Sequence, residues 1–138
     1  MARAASSIDL PMSPDRVWSV VGGFGSLPDW LPYIPRSDLM DGGRVRHLTT
    51  EDGQTIVERL MAFDEQARRY TYHILKAPFP VADYYSTLKV SSTGAGKSSR
   101  VEWEGEFTPV GITDQEATDL FKTIYDTGLK ALAKTMEG

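Results

Sequence analysis

Cysteine is absent from the 138 residues, which excludes a disulfide framework and a thiolate nucleophile and fits a reducing compartment. No apolar run is long enough to cross a bilayer, so we expect no membrane insertion. The opening MARAASSIDLP carries one arginine but lacks the apolar segment of a secretory signal. These absences together predict a cytoplasmic location.

Histidine and clustered positive charge are also scarce. With only His47 and His73 and no cysteine, a zinc site would depend on several carboxylates, so we expect no metal and no cofactor. The formal net charge is -4 and the lysines and arginines are scattered, which argues against a nucleic-acid partner. A serine nucleophile is not indicated either, because no Gly-x-Ser-x-Gly turn joins a strand to a helix.

The composition that remains is typical of a folded protein. Hydrophobic residues make up 41% and charged residues 25%, which excludes a disordered chain. The length fits a single domain over residues 1–138 with a core of its own.

The glycine-rich stretch VVGGFGSLPDWLP, residues 20–32, resembles a phosphate-binding loop only in composition. Phosphate loops follow a strand and open a helix, and a P-loop adds a lysine. Here SPDRVWSVV precedes the glycines and predicts a helix that Ser13 caps, and no lysine follows. Gly22 and Gly23 are predicted to end that helix in the left-handed conformation, and Ser26 to begin a short second helix.

After this stretch the hydrophobic pattern changes to a period of two. Five strand-length segments rich in β-branched and aromatic residues follow: RVRHLTT, TIVERLMAF, RYTYHIL, DYYSTLKV and RVEWEGEF. Their hairpin-length connections predict an antiparallel meander, and SSIDLP predicts a weaker first strand.

The last segment predicts a long helix over residues 113–137, which begins with a capping box of Thr113 and Glu116. At 1.5 Å per residue it would be about 38 Å long, enough to cross a curved sheet. Gly105 in the sheet and Gly128 in the helix predict space between the two layers. The residues predicted to form the helix's apolar stripe are Ala117, Leu120, Phe121, Ile124, Gly128, Leu132 and Met136.

The glutamates of VEWEGEF determine which face of the sheet is buried. Glu102, Glu104 and Glu106 alternate with three apolar residues and a glycine. Glutamates cannot occupy an apolar core unpaired, so they must lie on the outer face. Lys89 would then face Glu102 on the outer surface. The residues predicted to point inward are Val101, Trp103, Gly105 and Phe107, with Tyr70, Tyr72, Ile74, Tyr84, Ser86, Leu88 and Val90 on the neighbouring strands.

The hairpin RVRHLTT-EDG-QTIVERL has two possible registers. A three-residue loop with Gly53 left-handed would set Arg46 beside Glu58. A two-residue turn would set His47 beside Glu58 instead. We favour the first, because the aliphatic residues of both strands then share the interior with the ion pair. A slip of one residue exchanges the two faces, so the second register stays open.

The interior predicted in this way is polar for a protein core, because it holds Arg46, Glu58, Tyr72, Tyr84 and Ser86. One interpretation is that these groups satisfy each other and leave no cavity. The other is a wet or ligand-filled pocket, which is favoured because buried charges require partners.

Nearly the whole chain resembles the START/Bet v 1-like (SRPBCC) superfamily, and within it the bacterial polyketide cyclase/dehydrase-like branch. The matching segments are SPDRVWSVVGGFGSLPDWLP, GGRVRHLTTEDGQTIVERLMAFDEQARRYTYHIL, PFPVADYYSTLKV, SRVEWEGEFTP and the final helix. The resemblance implies an α+β helix-grip fold, in which a seven-stranded antiparallel sheet curves around a long C-terminal helix. Two short helices would lie between strands 1 and 2.

The resemblance also implies an internal cavity for a small hydrophobic or amphipathic molecule, lipid- or polyketide-like. We expect Trp30 at the rim of this cavity, and a monomer or homodimer. The expected ligand-binding residues are Arg46, Glu58, Leu60, Tyr72, Tyr84, Ser86, Trp103, Phe107, Phe121 and Ile124.

Three functions stay open at this stage. The chain is a binding protein, a cyclase or dehydratase, or a protein-interaction module with a filled core. In the enzyme, Glu58 would act as base, Arg46 would stabilise an enolate, and Tyr72 or Tyr84 would donate a proton. We favour binding, because a neighbouring arginine is expected to lower the pKa of Glu58 and weaken it as a base.

Overall fold

In the computed structural model, which describes residues 1–137, one antiparallel sheet packs against a long C-terminal helix. Within these residues the sheet has seven strands in the order β1-β7-β6-β5-β4-β3-β2. The strands are β1 (Ala2–Leu10), β2 (Arg36–Met40), β3 (Val45–Thr49), β4 (Thr55–Asp64), β5 (Arg69–Lys76), β6 (Val81–Thr93) and β7 (Ser98–Pro109).

The connection from β1 to β2 contains helix α1 (Pro14–Val21) and a single 3₁₀ turn (Leu27–Asp29). Helix α2 (Asp114–Glu137) follows β7 and packs across β1 and β7. This architecture confirms the predicted helix-grip fold. Two further 3₁₀ turns, Asp41–Gly43 and Gly94–Gly96, connect β2 to β3 and β6 to β7.

Strand β2 is the one element of the sheet that the residue pattern does not predict. Apolar and polar residues do not alternate clearly in its sequence, RSDLM, and four of its five residues are exposed. It lies at the edge of the sheet and pairs only with β3, where Ser37 is opposite Leu48. An edge strand with both faces near solvent carries little hydrophobic pattern, so its pairing identifies it rather than its composition.

The register of the β3–β4 hairpin confirms the favoured alternative. Arg46 lies opposite Glu58, and His47 lies opposite Val57. Gly53 ends the three-residue loop with a φ of 84°. The predicted inward face of the sheet is confirmed as well, and Lys89 lies opposite Glu102 on the outer surface.

Helix α1 ends at the predicted glycine for a different reason. Gly22 is right-handed, with φ -74° and ψ -19°, so the left-handed conformation expected there is wrong. A Cβ atom at Gly22 would lie 2.5 Å from the indole ring of Trp18. The glycine is therefore required by close packing against the side chain one turn earlier, and not by backbone strain.

Helix α2 begins with the predicted capping box. The Thr113 amide donates to Glu116 Oε1 at 2.9 Å, and the Glu116 amide donates to Thr113 Oγ1 at 3.0 Å. The predicted space at Gly105 and Gly128 is filled, however. A Cβ at Gly105 would collide with the hydroxyl of Tyr125, and one at Gly128 would lie 2.8 Å from the ring of Trp103. These glycines let the layers approach each other closely.

Candidate functional site

A cavity of about 350 Å³ lies between the inner face of the sheet and α2. It reaches the surface beneath the β3–β4 turn, where the exposed Glu51 and Asp52 line it together with Thr50. Most of the wall is apolar, formed by Leu27, Leu31, Ile34, Leu48, Ile56, Ile74, Phe79, Trp103, Phe121 and Ile124.

The structure brings most of the predicted site residues to this one cavity. They come from β3 to β7 and from α2, so only the folded sheet and helix assemble them. The predicted residues that line the cavity are Arg46, Glu58, Tyr72, Tyr84, Trp103, Phe121 and Ile124.

Three predicted residues lie outside the cavity wall, although all face the interior. Leu60 is one inward position further along β4 than Glu58, away from the mouth. Ser86 lies behind Trp103, with its hydroxyl bonded to the indole nitrogen. Phe107 is fully buried behind Tyr84, with their rings stacked at 5.8 Å. The alternation of side chains along each strand thus predicted correctly that these residues face the interior. It did not predict which of them reach the cavity.

Trp30 does not lie at the cavity rim, and this prediction is corrected. Its side chain is 2% exposed and packs edge-on against Trp103, with the ring centroids 5.9 Å apart. Leu27 and Leu31, four residues apart on the 3₁₀ turn and its end, face the cavity instead. The indole nitrogen of Trp30 is buried without a hydrogen-bond partner in the described part of the chain.

Two tyrosines of the cavity wall escaped the sequence argument. Tyr125 is fully buried on α2, four residues after Phe121, so its helical spacing could have identified it. Tyr33 lies in the loop before β2 and donates its hydroxyl to the carbonyl oxygen of Ile124 at 3.1 Å. A loop residue has no periodic pattern, and no sequence signal would have found Tyr33.

Arg46 and Glu58 form a buried ion pair at one side of the cavity. Arg46 Nε and Nη2 each lie 2.8 Å from the same oxygen, Glu58 Oε1. Arg46 Nη1 donates to the carbonyl oxygen of Phe24 at 3.1 Å and to the Tyr70 hydroxyl at 3.4 Å. The guanidinium also lies over the rings of Phe24, at 4.2 Å, and Tyr72, at 4.7 Å. Charge pairing and cation–π contacts together compensate the loss of hydration of the Arg46 guanidinium.

Burial raises the pKa of Glu58 above its ordinary value, because desolvation of the carboxylate outweighs the stabilising charge of Arg46. Arg46 lowers this pKa as expected, but burial raises it by more, so the expected net lowering is wrong. The cavity shields both groups from water, and desolvation is the larger effect. Glu58 is consequently a stronger base than an exposed glutamate would be.

A network of hydroxyl groups and one indole continues from Tyr72, next to this ion pair. Trp103 Nε1 donates to the Tyr72 hydroxyl at 3.0 Å and to Ser86 Oγ at 3.1 Å. The hydroxyls of Tyr84 and Tyr125 are hydrogen-bonded to each other. Burial raises the pKa of Tyr125 to about 12 and that of Tyr72 and Tyr84 well above the ordinary value. These phenols are therefore neutral hydroxyls at neutral pH.

No group of three or more metal-ligating side chains occurs among residues 1–137. His73 is on the outer face, where its ring stacks on Tyr85 at 4.4 Å. No helix in this part of the chain is long and apolar enough to span a membrane. The polar chemistry in contact with the cavity is thus that of Arg46, Glu58 and the tyrosines, with acidic groups at the mouth.

Known proteins resemble this chain in both sequence and fold. The family model described as polyketide cyclase/dehydrase and lipid transport matches residues 1–137. The protein XoxI from Bacillus cereus is 54% identical, with a TM-score of 0.94 over 97% of this chain and 94% of that one. An uncharacterised protein from Bacillus thuringiensis is 50% identical, with a TM-score of 0.97 over 99% of this chain and 100% of that one.

A more distant structure shares the fold alone. It is a START superfamily protein from Mycobacterium smegmatis, 14% identical, with a TM-score of 0.82 over 99% of this chain and 98% of that one. Comparison with curated proteins gave no significant match. From the family match over residues 1–137, the chain belongs to the polyketide cyclase/dehydrase and lipid transport family.

Proposed function

We propose that this protein binds a small hydrophobic or amphipathic molecule, lipid- or polyketide-like, between the sheet and α2. The observation that carries the proposal is the cavity of about 350 Å³ with a mostly apolar wall and a mouth at residues 50–52. Its size lies in the range of small-molecule pockets. Apolar contact with this wall would supply most of the binding free energy.

An interaction module with a filled core predicts no sizeable cavity, so the cavity counts against that alternative. Acid–base catalysis remains the second candidate. The buried Glu58, whose pKa is raised, lines the cavity near the neutral Tyr72 hydroxyl. Arg46, however, holds Glu58 Oε1 with two nitrogens, which supports a role in orienting a ligand more than in removing a proton.

Native mass spectrometry of the purified protein tests binding directly. We expect a co-purified molecule whose mass is lost on denaturation. Ile124→Trp should abolish this adduct, because Ile124 lines the cavity and the larger ring would fill it. Thr123→Trp is the matched control, since Thr123 is exposed on the other side of α2. A protein without an adduct that also fails to bind any amphiphile would contradict the proposal.

Glu58→Gln separates binding from catalysis. If the protein is an enzyme, this variant should bind candidate polyketide-like substrates and fail to convert them. If it is a binding protein, the wild type itself should convert none of the substrates that it binds. Chromatography of the incubated substrates distinguishes these outcomes.

A further inference from the structure

The Ser86 hydroxyl donates its hydrogen to a backbone carbonyl, and this determines the direction of the hydrogen bonds around it. Ser86 Oγ donates its single hydrogen to the carbonyl oxygen of Glu104 at 2.8 Å. It therefore accepts from Trp103 Nε1 at 3.1 Å and from the Tyr125 hydroxyl at 3.5 Å. Both acceptor positions of Ser86 are then occupied, and Tyr125 in turn accepts from Tyr84.

Tyr72 is left with a hydroxyl hydrogen that has no acceptor. An indole nitrogen can only donate, so Tyr72 accepts in its 3.0 Å hydrogen bond with Trp103. Ser86 Oγ also lies beside the Tyr72 hydroxyl, but both of its acceptor positions are occupied, and no hydrogen bond donated by Tyr72 is found among residues 1–137. Tyr72 lines the cavity, so this donor is available to a molecule inside it.

Glu58 supplies the matching acceptor. Arg46 binds only Oε1, and Oε2 accepts no hydrogen bond from the described residues. Glu58 is 6% exposed and lines the same cavity. The guanidinium of Arg46 contacts both side chains, since it is hydrogen-bonded to Glu58 and lies 4.7 Å from the centre of the Tyr72 ring. An acceptor and a donor without partners among the described residues thus line the same cavity.

We infer that the cavity selects a neutral ligand bearing a hydroxyl group, an alcohol or a phenol, over a carboxylate of the same shape. This inference rests on the proposed binding function. A hydroxyl both donates and accepts, so it can pair with Glu58 Oε2 and the Tyr72 hydroxyl together. A carboxylate only accepts and would place a second negative charge beside Glu58. It would also pass Glu51 and Asp52 at the mouth.

Calorimetric titration with three probes of equal chain length tests this selection: decan-1-ol, decanoate and decylammonium. The titrations are made at a pH of about 8, because a higher pH raises the ionised fraction of Glu58. We expect decan-1-ol to bind about tenfold more tightly than either charged probe, because each of those leaves one buried group unpaired. Decylammonium only donates, and would leave the Tyr72 hydrogen unpaired.

Tyr72→Phe should weaken decan-1-ol binding about tenfold and should not weaken decylammonium binding, because the ammonium group makes no use of the Tyr72 hydrogen. The variant is expected to fold, because Trp103 Nε1 keeps Ser86 as an acceptor. Tyr85→Phe is the matched control, since Tyr85 lies on the outer face and does not line the cavity. Glu58→Gln should reduce the discrimination against decanoate.

Tighter binding of decanoate than of decan-1-ol would overturn this inference and leave the binding function intact. An equal effect of Tyr72→Phe and Tyr85→Phe on decan-1-ol would also overturn it. Failure of all three probes, together with absence of a co-purified molecule, would instead contradict the binding function and this inference with it.

Discussion

Two nitrogens of Arg46, Nε and Nη2, lie 2.8 Å from one oxygen of Glu58, Oε1. This is the only buried ion pair found among residues 1–137, and it leaves the second carboxylate oxygen without a hydrogen bond from the described residues. It also explains why an arginine can be 1% exposed next to aromatic rings. The same two residues therefore concern both the stability of the fold and the chemistry of the cavity.

Arg46→Met should lower the free energy of unfolding by about 3–5 kcal/mol, because it leaves Glu58 buried without a counter-charge. The double variant Arg46→Met/Glu58→Leu should be less destabilised than the single variant, since it leaves no unpaired charge. Urea unfolding of both proteins measures the difference. The exposed pair of Arg100 and Asp9 offers the control, and Arg100→Met should have little effect. A double variant less stable than Arg46→Met would contradict this account.

The stability of the wild type should depend on the protonation of Glu58. Burial raises its folded-state pKa above the ordinary value of 4.5, so the folded protein holds this proton more tightly than the unfolded chain. That contribution is fully present below pH 4.5 and is lost as the pH rises through the folded-state pKa. The wild type should therefore lose stability relative to Glu58→Gln over this window. Urea unfolding across a pH series tests it, and parallel curves for the two proteins would refute it.

Gly105→Ala should destabilise the protein by about 1–3 kcal/mol, because the added methyl group would overlap the hydroxyl of Tyr125. Tyr125→Phe removes that oxygen. Gly105→Ala should therefore cost less stability in the Tyr125→Phe background than in the wild type. Thermal unfolding of the four proteins completes the cycle. Additive effects of the two substitutions would show that the collision is not the cause.

Thr113→Ala should cost about 1 kcal/mol of stability, since it removes the side-chain half of the capping box at the start of α2. Thr127→Ala, at an exposed position inside the same helix, is the control and should not destabilise, because alanine is the better helix former. Urea unfolding compares the two variants. An equal loss at both positions would argue against a capping role.

The residue pattern predicted those features that depend on local chemistry or on simple alternation. The three glutamates of β7 predicted the buried face, and the aliphatic residues of β3 and β4 favoured the register that the structure has. The same reasoning failed for β2, where an exposed edge strand lacks alternation. It also failed for the glycine at residue 22, where the cause was a contact with Trp18 and not the backbone angle.

For the site, strand phase predicted that Arg46, Glu58, Tyr72, Tyr84 and Trp103 point inward, and all of them line the cavity. Phase has a period of two and reports only which face a residue occupies. It could not separate residues on the cavity from those one layer behind.

By itself, the sequence determined the inward face of the sheet and the long final helix, and it favoured the pairing of Arg46 with Glu58, because these follow from periodicity and the cost of burying charge. The helix-grip architecture was implied by the family resemblance. Only the tertiary structure decided where empty space remains. Tyr125 fills the gap above Gly105, Trp30 packs behind Trp103, and Tyr33 enters from a loop. A cavity is the volume that distant side chains leave unfilled, and no local pattern records that volume.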